Sequence, residues 1–270
     1  MPGRMPEVRK GEHKLADFRR EPSYERRVVV FYDFLGWQSH IERAASNPKE
    51  IGFLRRMLLR HPRMLGVKED LEIQYTTFSD NVVITQKVGP KTQMLIQQIA
   101  NFQLGAAIPG FLMRGGITIG DVVHDDEVVF GPGLNRAYYL ESKVAKLPRL
   151  VLDPLIRNED WGDLGDLRVE ENGVRFLDPF RLEYCEHLRR AKLENPEAVA
   201  NAGVPIPQGK FKDFSNEHIL HMIIDALNGQ LQYPITDEVF TKIAWVYDRL
   251  AKQIGHPLSN ALPRIRPKLR

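Results

Sequence analysis

VVVFYDFLGW, residues 28–37, opens with five consecutive β-branched and aromatic residues, Val28 to Tyr32, and runs straight into Asp33. A continuous run of this kind reads as a strand buried on both faces. Phe34-Leu35-Gly36 then turns the chain toward a helix, which places the acid at the rim of a sheet. A second acid stands in the same setting. Ser79-Asp80-Asn81 separates two strand-like runs, 73–77 and 82–85, and is hairpin turn chemistry, so Asp80 is expected at the tip of a β-hairpin. With the hairpin beside the first strand, both carboxylates meet at one sheet edge.

Composition narrows the function classes. The chain has 270 residues, 31.1 kDa, with 43% hydrophobic residues, enough for one large domain or a domain with an appendage. A net charge of +3 is too weak a bias to argue for nucleic acid, and no basic-aromatic interleaving of an RNA module occurs. The single cysteine, Cys185, leaves no internal disulfide or cysteine zinc cluster and fits a reducing cytosol. No apolar run approaches the roughly 20 residues of a membrane span, and no signal peptide pattern opens the sequence. A cytoplasmic protein with no membrane partner is the expectation.

In chain order, residues 1–27 are charged and poor in apolar positions and read as a basic tail. Helical spacing follows at 38–45 and 51–60, closed by His61-Pro62. After the 72–87 hairpin comes a helix over 91–104, then the glycine-bearing strand FLMRGGITIGDVVH (111–124). Glycines inside a strand imply that something approaches closely: a bulge, a crossing backbone or a ligand. A helix over 134–144, a short strand at 150–153 and a hairpin about Asn172-Gly173 complete an α+β sheet covered mainly on one face. Beyond it lie a charged helix over 182–200, an apolar helical hairpin over 219–231 and 237–254, and a basic, proline-broken end at 262–270. The expected organisation is a tail over 1–27, a catalytic domain over 28–180 and a helical extension over 181–270.

Four segments together carry a resemblance. FYDFLGW resembles the first-strand metal motif of class III nucleotidyl cyclases, and TTFSDNVVI their second metal hairpin, with Ser79-Asp80 where Gly-Asp is usual. MRGGITIGDVV resembles the glycine-bearing fourth strand, and FGPGLNRAYYLES the segment carrying the transition-state residues. They occur in the family's order. The RGG run and the Ser-Asp pair resemble most the bacterial pyrimidine cyclases of antiphage signalling. The resemblance implies a βαββαβ, ferredoxin-like sheet core with the helical hairpin appended. It implies metal ligands at Asp33, Asp80 and the Phe34 carbonyl, holding two Mn²⁺ or Mg²⁺ ions. It also implies a head-to-tail homodimer in which Asn135 of one protomer faces the acids of the other.

The chemistry asks for the same parts. When a ribose 3'-hydroxyl attacks the α-phosphorus and pyrophosphate leaves, charge develops on the attacking, equatorial and leaving oxygens, and paired divalent ions suit that displacement. The 34–36 turn into a helix also points backbone N–H groups at phosphates. Either acid alone is equally a helix cap or a turn residue; as a pair after matching strands they favour metal. Departures from the family bear on the substrate. The places of the purine-reading Lys and Asp hold Thr76 and Val128, which leaves Tyr75 or Thr76, with Arg114, to border the expected base pocket. Arg114 donates only, which suits the O4 acceptor of uracil over the N4 donor of cytosine. The place of the phosphate-binding Arg holds Tyr139, so Arg114, Arg136, Lys143 or Lys146 would have to substitute. The expected reaction is UTP, or CTP, to the 3',5'-cyclic nucleotide, a messenger read by a downstream effector. A purine cyclase, a catalytically dead cyclase-like nucleotide-binding module and a nucleic-acid-binding protein are the alternatives.

Overall fold

A computed structural model describes residues 23–64, 73–184, 216–232 and 235–254. The tail over 1–22, most of the charged helix expected over 182–200, Cys185 and the basic end lie outside the described residues. The apolar run does form a strand, β1 (Glu25–Leu35), but it is longer than the run at both ends. Arg27 belongs to it because its guanidinium pairs with Glu25 at 2.6 Å, letting the stem lie buried in the ladder. At the other end the strand continues two residues past Asp33. The acid therefore sits within the ladder, not beyond it.

Gly36, at φ 74, turns the chain into α1 (Trp37–Ala44), and α2 (Pro48–Met64) follows, its backbone continuing through Pro62 where the sequence suggests a stop. The hairpin is β2 (Gln74–Phe78) and β3 (Asn81–Lys87), joined by Ser79-Asp80 alone. Ser79 adopts φ 57, the left-handed region that glycine enters without steric cost, which is the physical content of the Gly-for-Ser difference at this turn. Then come α3 (Thr92–Ala107), β4 (Leu112–His124), β5 (Val129–Phe130) and α4 (Pro132–Tyr139), which passes into a π-helical turn at Leu140–Ala145. Strands β6 (Leu150–Leu152), β7 (Arg168–Glu171) and β8 (Val174–Leu177) finish the sheet, and α5 (Asn216–Gln230) and α6 (Asp237–Ile254) follow.

The strand order is β2-β3-β1-β4-β6-β8-β7, with β5 paired to the end of β4. All neighbours are antiparallel except β4 and β6, which run parallel with Gly116 opposite Val151. The result is a mixed α+β architecture with β1 and β4 central. One face of the sheet carries Val28, Val30, Tyr32 and Phe34 and is covered by α1, α2 and α3 through Trp37, Met57, Leu95 and Ile99. The other face, expected to carry less cover, is partly covered too. Helix α4 lies along β4 there, with Ala137 against Val29 and Val122.

The β4 glycines explain how the helix fits. A Cβ on Gly116 would meet the Ala137 carbonyl oxygen and Leu140 Cβ, and one on Gly120 would lie 2.8 Å from Gly133 Cα. The close approach foreseen for these glycines is a helix backbone. Helices α5 and α6 form a second apolar cluster with Leu104, Ile108, Leu112 and Phe180, flanked by Leu35. No helix among the described residues is long and apolar enough to cross a membrane.

Candidate active site

Burial along β1 locates an opening. Arg27 to Val30 are buried in succession, as expected of a strand covered on both sides, whereas from Phe31 to Leu35 buried and half-buried residues alternate. The face bearing Phe31, Asp33 and Leu35 therefore opens just where the acid stands. Register brings the second acid to it. Tyr32 pairs with Val82 on β3, so the tip of the hairpin, with Asp80, flanks Asp33. The two carboxylates are close enough that the Asp80 charge adds to the rise of the Asp33 pKa.

On the other side of β1, Asp33 is directly opposite Arg114 of β4. Arg114 Nη2 donates to Asp33 Oδ2 at 3.0 Å and also forms an ion pair with Glu141 of the π-turn. Burial pushes the Asp33 carboxyl above its ordinary value and the guanidinium only partly draws it back. Glu141, with 4% of its side chain exposed, is raised in the same way, by burial first and by the Asp33 charge second. Asp33 Oδ1 is buried and accepts no hydrogen bond among the described residues. An acid with one oxygen anchored to arginine and the other without a donor, beside a second acid, is a chemically sound half of a cation site. Among the described residues no group of three or more His, Cys, Asp or Glu gathers as a metal site, so the protein side would be the two acids with backbone oxygen.

The remaining expected residues separate by pleat. Tyr75 turns away from the opening: its hydroxyl donates to the Leu58 carbonyl at 3.1 Å and its ring packs on the α1–α3 core. Thr76, one residue on, faces the opposite side, where its hydroxyl is 2.8 Å from His124 Nε2. His124 Nδ1 contacts Thr85 Oγ1 at 2.9 Å, and burial, with Arg27 nearby, holds the imidazole down to about 4, so the ring is neutral. The Phe34 side chain is fully buried among Tyr32, Trp37, Phe102 and Phe111, which leaves only its backbone for a ligand role.

Helix α4 presents Asn135 and Tyr139 outward, and the Asn135 side chain has no hydrogen-bond partner among the described residues. Between them Arg136 is committed to Asp153, Nε to Oδ2 at 2.8 Å and Nη2 to Oδ1 at 2.7 Å, with its guanidinium over the Tyr139 ring at 5.3 Å. Val128 is exposed.

Two participants are absent from the sequence reading. Glu141 follows Ala137 by one helical turn and so lies on the sheet-facing side of that segment; an acid at a buried helix position was the available signal. Lys242 of α6, whose charge acts on both Asp33 and Glu141, carries no such signal, since only tertiary structure brings α6 here.

No protein-family model and no curated protein matches the chain. Among solved structures, a bacterial light-regulated adenylyl cyclase overlaps with a TM-score of 0.42 and 13% identity, covering 60% of this chain and 53% of that chain. The chain thus spans about half of that protein's length.

Proposed function

We propose that this protein is a nucleotidyl cyclase that turns a pyrimidine nucleoside triphosphate into its 3',5'-cyclic nucleotide and pyrophosphate. The observation that supports this best is the pairing of Asp33 and Asp80 on the open part of the sheet, with Asp33 Oδ1 free of donors. Divalent ions, Mn²⁺ or Mg²⁺, held there would supply charge neutralisation for the attacking and leaving oxygens. The chain's own part is to hold Asp33 in one orientation through Arg114, itself fixed by Glu141, and to set Asp80 beside it on a two-residue turn. The Phe34 carbonyl is the further ligand that the family resemblance suggests.

Asn135 stands on the exposed side of α4, roughly 9 Å along the helix from Glu141. We therefore place it in the site of a partner protomer, in a homodimer with two equivalent shared sites. Aromatic surface beside the opening supports such an interface: Phe78, next to the hairpin tip, is 82% exposed, and Tyr138, edge-on to Phe31, is 55% exposed. A pyrimidine preference draws on Thr76 and Val128 at the purine-reading places. Arg114 holds two carboxylates through Nη2, and Thr76 offers the base a polar contact of its own. Its hydroxyl donates or accepts, which suits either UTP or CTP. The resemblance to antiphage cyclases makes the product a messenger for a separate effector.

Incubation with each of the four ribonucleoside triphosphates and Mn²⁺, read by mass spectrometry, should give cyclic UMP or cyclic CMP. Cyclic AMP or cyclic GMP as the dominant product overturns the pyrimidine assignment; no cyclic product from any overturns the cyclase. Light scattering showing a monomer during turnover removes the shared site.

A further inference from the structure

We infer that Lys242 is a phosphate-binding cation of the Asp33 site, delivered by α6 from outside the sheet. The inference rests on the cyclase reading for the identity of its anion, a triphosphate.

The two arginines nearest the site are engaged, and the lysines after α4 stand exposed to solvent. Arg114 is held between Asp33 and Glu141, and Arg136 is gripped by both oxygens of Asp153. Tyr139 is a phenol, and Lys143 and Lys146 are exposed and make no ion pair among the described residues. A dense polyanion at Asp33 would need a positive group that is close, sheltered and able to change partner.

Lys242 meets each condition. Asp33 and Leu35 point to the same face of β1, as Arg114 and Leu112 do on β4, and Leu35–Leu112 is the next pair on that face after Asp33–Arg114. The Leu35–Leu112 pair belongs to the apolar cluster that contains Val239, Ile243 and Val246 of α6. Helix α6 therefore covers the end of the face that carries Asp33, while Glu141 of the π-turn borders the same acid. Lys242, adjacent to Ile243, has only 12% of its side chain exposed, and its charge reaches Asp33 and Glu141. Its hydrogen-bonded partner among the described residues is Glu238 at 2.6 Å, a carboxylate 77% exposed and well solvated. An i,i+4 pair whose acid is this exposed is weak and yields readily to a multivalent anion. An ammonium with three rotatable donors binds phosphate oxygens as a compact point charge that needs no fixed fork geometry.

The test is calorimetric binding of inorganic tripolyphosphate, with Mn²⁺, to the full chain and to Lys242→Met and Lys242→Arg. Lys242→Met should bind about tenfold more weakly while keeping the wild-type melting temperature, and Lys242→Arg should recover most of the affinity. Equal affinity of wild type and a folded Lys242→Met, or no binding by wild type, overturns the inference. The four-triphosphate assay separates the two readings. Absence of any cyclic product alongside Lys242-dependent tripolyphosphate binding removes the cyclase and leaves Lys242. Cyclic product with KM and binding unchanged in Lys242→Met removes Lys242 and leaves the cyclase.

Discussion

Two arginine–aspartate pairs lie on the same face of this sheet, joined by the same helix, and they have opposite characters. Asp153 accepts from Arg136 twice, from the Thr118 hydroxyl at 2.6 Å and from the Leu155 N–H at 3.0 Å. Burial pushes its carboxyl upward, but those donors outweigh burial and hold it below its ordinary value. Asp33 has a single arginine contact, on one oxygen, and burial prevails. The first pair is complete and fastens α4 to β6. The second leaves one carboxylate oxygen without a donor among the described residues. Burial of the acid–arginine pair thus does not set the two apart; the number of donors to the carboxylate does.

The largest expected effect comes from breaking the incomplete pair. Asp33→Asn should lower cyclic-nucleotide formation roughly a thousandfold or more and leave the melting temperature near that of wild type. Retained turnover would refute the role of Asp33. Breaking the complete pair should do the reverse to stability: Asp153→Ala strands Arg136 and the Thr118 hydroxyl and should cost about 3 kcal/mol in urea unfolding. A loss below about 1 kcal/mol would show that the two pairs do not differ as described. Next, Gly116→Ala drives a methyl into α4 and should cost about 2 kcal/mol, loosening Arg136 and Glu141 together. A crystal structure of that variant with α4 unmoved would contradict the coupling.

The smallest effect is the pH dependence. Asp153 is held low, so its stabilisation is present above the unfolded value near roughly 4 and is lost as pH falls through its folded value. The wild-type advantage over Asp153→Asn should shrink there. Glu141 is raised, so its ionisation opposes folding above its folded value, and that penalty disappears as pH falls from there toward the unfolded value. Wild type should therefore gain on Glu141→Gln in that window. Unfolding curves between about pH 3 and 7 read both signs, and equal signs would remove the contrast.

Particular residues show where the sequence was legible. Val28 to Tyr32 announced β1, and Ser79-Asp80-Asn81 announced the hairpin, because apolar runs and turn residues are local signals. The ends of β1 were hidden, since Arg27 enters the strand through an ion pair with Glu25 that no periodicity records. The β4 glycines foretold a close approach without saying that α4 made it. Choosing between Tyr75 and Thr76 was a question of pleat phase. Ile73 shares the core with Tyr75, so the period of two already assigned Tyr75 to the helix-covered side. Arg114 looked like a free donor because its two acids come from β1 and from beyond α4, 81 residues before and 27 after it.

The π-turn at Leu140–Ala145 has a consequence for comparing this protein with others. An i→i+5 turn holds one more residue than an α-helical turn over nearly the same path. Alignments that count straight through from Asn135 as if the helix were regular will match each position after Leu140 to a neighbour one place off. Glu141 is the first side chain inside that shift, and Lys143 and Val144 follow it. Relatives lacking the extra residue should carry the acid that grips Arg114 at a different interval from the asparagine, and superposed backbones, not gap-free sequence, will find it.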